Sequence, residues 1–427
     1  MDFRSSDILL PRQNFEKWST VACDQYTSDA EYWTDVEKTV ADSPSALRIM
    51  LPEIYLEEKN VDRLIEKTYE KMREYLRDGV FETVKDAYIY VERTLSDGKT
   101  RKGLMGIFDL EAYDFNAGSG SVIRATEGTV LSRIPPRVRI RQNACLEMPH
   151  IMILIDDRSK CVIEPLEEQK SGFEKLYDFD LMKNGGHIKG YKVSAAAKNS
   201  IETAIASLYD EKAFADKYGI EVGSKPLLVF AVGDGNHSLA TAKTCWENIK
   251  KDLTEEEKLT HPARYALAEL VNLHDTSLEF EPIHRVLFGV DEEKFVKDLE
   301  TFFAGYKLRE DEDSTGFSVL VNGKEKHYVI DAPKSNLTVG DVQCFIDHYL
   351  KDIQPDAKVD YIHGEEEVKA LAGVHGNVGI LLPAMEKNDL FKTVILDGVL
   401  PRKTFSMGHA NDKRYYLEVR KITPDAE

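Results

Sequence analysis

The sequence is short of positive charge. Its 56 Lys and Arg residues stand against 75 Asp and Glu, a formal net charge of −19 over 427 residues. Such a balance repels nucleic acid and anionic membranes, so neither is an expected partner. It leaves room for a small anion in a locally basic cleft. Cysteine is scarce as well. Cys23, Cys145, Cys161, Cys245 and Cys344 are odd in number and include no Cys-x-x-Cys pair. That argues against a disulfide framework or a zinc site and for reduced thiols in a cytoplasm. No apolar run approaches the roughly 18 residues of a membrane span, and no basic, apolar leader opens the chain. The expectation is therefore a cytoplasmic protein with neither signal peptide nor membrane span. Internal repeats, low-complexity tracts and long linkers are missing too. What is present, 42% hydrophobic and 31% charged residues, is globular in composition, with length for two or three domains.

One stretch organises the rest, Pro226 to Trp246. Leu227 to Val232 is an apolar, branched run that reads as a buried strand. It breaks at Gly233-Asp234-Gly235. Asn236, His237 and Ser238 follow, and from Leu239 the spacing is helical, with Asn236 or Ser238 as the expected cap. Strand, glycine turn and helix start together suit a phosphate. Glycines allow close backbone approach, and free N–H groups with the helix dipole favour an anion. The plainer alternative is an ordinary capped turn.

Other elements alternate around it. Ser43-Pro44 reads as a helix start. Val61, Leu64, Ile65, Tyr69, Met72 and Leu76 share one face of a helix that Asp78-Gly79 ends. Strands are expected at residues 87–91 and 102–110 around a Ser96-Asp97-Gly98-Lys99 turn, and at 150–155 with 161–163 returning beside it. A long helix is expected over 194–218. Asn322-Gly323 marks a hairpin, 339–350 a helix, and 359–363, 378–382 and 414–419 strands. Residues 121–142 hold Arg124, Arg133, Arg137, Arg139 and Arg141 with a single acid, Glu127. This is either a solvated basic face or an arginine set for phosphates or a carboxylate. The order favours an α/β (mixed α+β) fold with flanking helices. Three regions with soft boundaries are expected: residues 1–190, 191–290 and 291–427.

Taken together these stretches resemble the family known as domain of unknown function 1015. The resemblance rests on Asp24-Gln25-Tyr26, Val122 to Thr129, Asp234-Gly235-Asn236-His237, Pro282-Ile283-His284-Arg285 and Leu400 to Thr404. It covers nearly the whole chain. The central motif is also similar to the phosphate loop of the ParB/sulfiredoxin-like group, which includes kinases of free serine. That resemblance implies a ParB/sulfiredoxin-like phosphate-loop core and a nucleotide, ATP or ADP with Mg²⁺, held around Asp234 to Leu239. In one respect this chain departs from the motif, because Ser238 replaces an arginine that would neutralise phosphate charge. Lys243, Arg285 or the Arg124 to Arg141 cluster are the candidate replacements.

The leading expectation is a nucleotide-dependent kinase acting on a small hydroxyl compound, free serine being the acceptor that the resemblance implies. Phosphoryl transfer needs charge neutralisation, positioning and a base. Asp234 and His237 are the expected catalytic pair, Asp234 also as Mg²⁺ ligand, with Glu127 or Asp24 as base. Gly233, Gly235, Asn236, Ser238, Arg124, His284, Arg285 and Lys403 are the expected phosphate and substrate contacts. Each has a plain alternative as a cap, a satisfied core side chain or a surface charge. The runner-up is a nucleotide-binding regulatory module without turnover, and behind it a metal-dependent phosphoesterase. Oligomeric state is not encoded in these patterns.

Overall fold

The computed structural model describes residues 1–424. The chain divides into two compact units, residues 1–278 joined by the C-terminal segment from His409, and residues 279–408. This differs from the three expected regions. The boundary at 190 falls inside the strand His187–Lys192, whose sheet runs on through later strands.

In the first unit, a ten-stranded mixed sheet has its middle in the strands Thr100–Asp109, Tyr265–Asn272, Met152–Ile155, Phe230–Asp234 and Ile123–Ala125, side by side in that order. Met152–Ile155 runs parallel to Tyr265–Asn272 and antiparallel to Phe230–Asp234, which is parallel to Ile123–Ala125. Side chains alternate between two cores, as the two-residue period of a strand requires. Ile89 and Val91 enter one core with the helices Ala30–Val40 and Val61–Arg77. Tyr88 and Tyr90 enter the other with Ala195–Ser207 and Asn236–Ile249, whose Trp246 is fully buried. The expected mixed α/β architecture is therefore present.

Several charged groups lie inside this sheet, and one of them has partners on both sides. Glu269, in the strand Tyr265–Asn272, is fully buried. Arg414 Nη1 sits 2.8 Å from its carboxylate and Arg101 Nε 3.7 Å. A buried carboxylate is tolerable only with such partners. Gly103 faces it, and a Cβ there would stand 2.1 Å from Glu269 Oε1.

The second unit holds a seven-stranded sheet in which Phe280–Phe288 lies between Asn377–Leu381 and Lys358–His363. The Asn322-Gly323 hairpin is present, both residues with positive φ (51° and 71°) between Phe317–Val321 and Lys324–Ile330.

Local expectations fail where side chains recruit the backbone. Ser45, not Ser43, caps a short 3₁₀ turn, Ala46–Arg48, its hydroxyl accepting the Leu47 N–H. Residues 161–163 form no strand, because Asp157 Oδ2 accepts the N–H groups of Cys161 and Val162 at 2.7 and 2.9 Å. The long helix over 194–218 breaks into Ala195–Ser207 and Glu211–Tyr218, the second capped by Asp210. The closing strand is two short pairings, Tyr415–Tyr416 and Arg420–Lys421. The central strand begins at Phe230 rather than Leu227, since Val229 and Phe230 both donate to the Val122 carbonyl.

Candidate functional site

The turn after Phe230–Asp234 is built around Gly235. Its φ of +79° lies in the left-handed region, and a Cβ there would come within 3.0 Å of Ile151 Cα. Glycine is required on both counts. The helix Asn236–Ile249 starts at once, with Gly235 as its N-cap and no side-chain cap. The expected capping by Asn236 or Ser238 is thus corrected: both side chains turn to neighbouring segments. Asn236 Oδ1 accepts the Thr126 N–H at 3.3 Å, while Thr126 Oγ1 donates to the Val232 carbonyl at 2.6 Å. His237 Nε2 accepts the Val130 N–H at 3.4 Å. Asn236 and His237 therefore tether residues 126–130 to the helix start. Half-buried Glu127 lies in that tethered segment.

Three chemically active groups meet the turn from distant parts of the chain. Lys413 Nζ lies 3.1 Å from Asp234 Oδ2, and Asp234 Oδ1 accepts the Gly235 N–H at 3.0 Å. Ser238 Oγ lies 3.0 Å from His150 Nε2. The buried His150 ring has Nδ1 2.8 Å from the Tyr416 hydroxyl, and Asp24 Oδ2 is 3.6 Å from Nε2. Burial raises the Asp24 pKa, but His150, the Gln25 amide and Lys413 together outweigh it, and the balance lies below the usual carboxylate range. Asp24 is therefore ionised at neutral pH. Its neighbour Cys23 is pushed up to about 12 by burial and by the Asp24 charge, so it remains a thiol. Glu53, whose N–H donates to the Cys23 carbonyl, is raised by burial despite its pairing with Arg137.

Asp24, Asp234 and Ser238 are thus joined through His150 and Lys413, with Gly235, Asn236 and His237 framing them and Gly233 in the strand end. Sequence reasoning missed His150, Lys413 and Tyr416. His150 stood at the start of an expected strand, Tyr416 lay in the expected closing strand, and Lys413 fell just before it.

Other expected contacts are engaged elsewhere. Arg124 is buried, with Nε on the Ser121 carbonyl and a terminal nitrogen on the Pro226 carbonyl, both at 2.8 Å. Burial lowers its pKa to about 10, which leaves it charged. Lys243 donates to the Leu110 carbonyl and pairs with Glu247, each at 2.8 Å. Arg137, Arg139 and Arg141 pair with Glu53, Asp62 and Glu147. Arg133 is exposed at the start of the helix Ile134–Arg141. In the second unit, His284 is buried, accepts the Leu382 N–H at Nδ1, and has its pKa lowered by burial. Arg285 is fully buried and donates to the carbonyls of Ile283, Arg402 and Lys403. Its guanidinium also lies 4.8 Å from the Tyr361 ring centre. Lys403 is exposed, with φ +53°.

The family model described as a protein of unknown function (DUF1015) matches residues 6–349. The chain belongs to that family. No curated protein matches it by sequence. Among solved structures, a conserved hypothetical protein from Pyrococcus furiosus is 10% identical, covering 74% of this chain and 94% of its own, with a TM-score of 0.35. A free serine kinase in complex with ADP is 9% identical, with 76% and 93% covered and a TM-score of 0.37. SbnI from Staphylococcus aureus, truncated at its C-terminus, is 9% identical, with 71% and 83% covered and a TM-score of 0.37. At such scores the likeness fixes neither activity nor ligand.

For this family member a protein-held metal at Asp234 does not fit. Both carboxylate oxygens of Asp234 are engaged, and among the described residues no group of three His, Cys, Asp or Glu ligand atoms includes it. A two-metal phosphoesterase site would need ligands from several strand ends. What the turn does offer is a helix start, a lysine, a buried imidazole and an ionised carboxylate. No helix among the described residues is long and apolar enough to cross a membrane, and all five cysteines are free.

Proposed function

We propose that this protein binds a nucleotide, ATP or ADP, with its phosphates at the start of the helix Asn236–Ile249, and transfers a phosphoryl group to a small hydroxyl compound. The observation that carries the reading is the convergence of Lys413, Asp24 and His150 on a left-handed Gly235 turn. An anion is favoured by the N–H groups and dipole of the helix start. Lys413 supplies the cation that the missing motif arginine would have given, and Arg133 lies in the segment that follows the His237 tether. Asp24, ionised at neutral pH, is the base for the acceptor hydroxyl, and Asp234 orients Lys413. Free serine is the acceptor that the family resemblance implies. Mg²⁺, if used, enters on the nucleotide. The setting belongs to the same proposal: a cytoplasm that keeps the five thiols reduced.

The test is calorimetric titration with ATP and with ADP, with and without Mg²⁺ and serine, on wild type and Asp234→Asn. Saturable binding that the variant loses, with phosphoserine formed from ATP or ADP, is the expected result. Absence of binding to either nucleotide sinks the reading. Binding without any turnover would favour a regulatory module, for which the Ser238 replacement is the observation in favour.

A further inference from the structure

Ser238 does more than fill the place of an arginine. Its Oγ lies 3.0 Å from His150 Nε2, and His150 Nδ1 lies 2.8 Å from the Tyr416 hydroxyl. The Tyr416 hydroxyl donates to Cys23 Sγ at 3.1 Å and accepts the Cys23 N–H at 3.3 Å. A phenol has one proton. When the phenol proton is directed at the Cys23 sulfur, the Tyr416 oxygen accepts from His150, and Nδ1 carries the imidazole hydrogen. Nε2 is then a lone pair aimed at the Ser238 hydroxyl. A nucleophile, a base within hydrogen-bond reach and a third group that sets the tautomer of that base are the three parts of an activated serine. Asp24 completes the arrangement. Its carboxylate, 3.6 Å from Nε2, faces the positive charge that appears when the imidazole takes a proton.

The fold gives this serine a strand–turn–helix setting. Ser238 is half-buried in the first turn of the helix Asn236–Ile249, directly after the left-handed Gly235. His150 is only 7% exposed, so its ring is held by packing as well as by Tyr416. Lys413 stands at the same turn.

We infer that Ser238 is a covalent nucleophile toward electrophilic phosphorus, with His150 as its general base and Tyr416 as the positioning residue. The helix start and Lys413 favour an anionic phosphate ester or anhydride over a neutral carboxylic ester. In the step, Ser238 Oγ forms a bond to phosphorus and the phosphorus–oxygen bond to the leaving group breaks. The leaving group departs with that electron pair, and the Ser238 proton passes to His150 Nε2, which can return it to the leaving oxygen. No oxidant or metal is needed. The inference does not require a nucleotide, so it stands or falls apart from the function proposed above.

The experiment uses the full chain and a tagged fluorophosphonate, whose fluoride is displaced from phosphorus by an activated serine. Mass mapping of wild type is expected to find one adduct, on Ser238, and Ser238→Ala none. His150→Gln is expected to slow labelling about 100-fold or more, the range of a lost general base, and to flatten its pH dependence. Tyr416→Phe keeps the ring and removes only the hydroxyl, so it guards against a His150 variant that misfolds. It is expected to slow labelling to a lesser degree while circular dichroism stays that of wild type. An unlabelled wild type, an adduct that survives Ser238→Ala, or a folded His150→Gln labelled at the wild-type rate each overturns the inference. A p-nitrophenol burst with p-nitrophenyl phosphate supports the phosphorus assignment, and a burst with p-nitrophenyl acetate alone overturns it.

Discussion

Two stretches of this chain put a histidine beside polar or charged neighbours, and they come to opposite ends. In the first unit, Asp234 to Ser238 lies on a turn whose side chains reach out to segments some hundred residues away. In the second, His284-Arg285 lies inside the strand Phe280–Phe288, and both residues are buried. Arg285 serves three backbone carbonyls and a ring face, and His284 accepts a backbone N–H. The first stretch is half-exposed, and beside its bonds to backbone N–H groups it pairs an acid with a lysine and a hydroxyl with an imidazole. The second is closed, and apart from an Arg285 bond to the Gln343 side chain these hydrogen bonds go to the backbone. A charged motif therefore says little until its partners are counted: an arginine that satisfies carbonyls holds a fold together, and a lysine that faces two acids remains able to meet an anion.

The sharpest way to break this contrast is to remove Arg285. Arg285→Ala leaves the carbonyls of Ile283, Arg402 and Lys403 without their donor inside the second unit. At about 1–3 kcal/mol for each buried group left unsatisfied, a loss of roughly 3 kcal/mol or more is expected in urea unfolding. A loss below about 1 kcal/mol would show that this arginine is not structural.

Gly235→Ala is the next largest. It places a Cβ in the left-handed region and 3.0 Å from Ile151 Cα. The conformational part alone costs about 1–2 kcal/mol. The variant is expected to unfold earlier by at least that amount and to lose nucleotide binding as well, because the helix start moves. Calorimetry on the same samples checks both.

Much of the fold was legible because burial writes a period into the sequence. Val61–Arg77 appears almost residue for residue, with Ile65, Tyr69 and Met72 buried as the spacing demands. The Asn322-Gly323 hairpin follows from two positive φ angles that few other residues accept. The turn at Gly235 was legible for the same reason. Illegible were the places where a side chain from elsewhere claims the backbone, as Asp157 does at Cys161 and Val162. The site divides along the same line. Asp234, His237 and Ser238 are neighbours in sequence and could be read together. Their partners come from far along the chain, His150 beside a paired strand and Lys413 from the C-terminal segment, with Tyr416 behind His150, and no local spacing announces that.

Lys413→Ala returns to the comparison from the other side. Its pair with Asp234 is partly exposed, 15% and 28% for the two side chains, so its stability contribution is expected to be below about 1 kcal/mol. Nucleotide affinity is expected to fall roughly 10-fold or more, as for a lost charge-assisted hydrogen bond. A stability loss as large as that of Arg285→Ala, with affinity unchanged, would make the two cations alike and remove the distinction.

The smallest effect is the most discriminating, because it separates the two units by pH. Burial lowers the pKa of His284, so its neutral form is the one the fold favours. Its contribution is complete above the unfolded imidazole value of about 6.5 and declines as pH falls toward the folded one. Asp24 is also lowered, through His150, Gln25 and Lys413, but its contribution is complete down to about 3.9 and is lost only in stronger acid. Between about pH 6.5 and 4 the second unit is therefore expected to weaken while the Asp24 contribution in the first does not. Urea unfolding followed by hydrogen exchange, unit by unit, reads the two separately. His284→Gln should remove the shallow loss in the second unit, and Asp24→Asn should leave that range unchanged. A His284→Gln protein with the wild-type slope would mean that the buried imidazole does not resist protonation, and the closed character of that strand would have to rest on Arg285 alone.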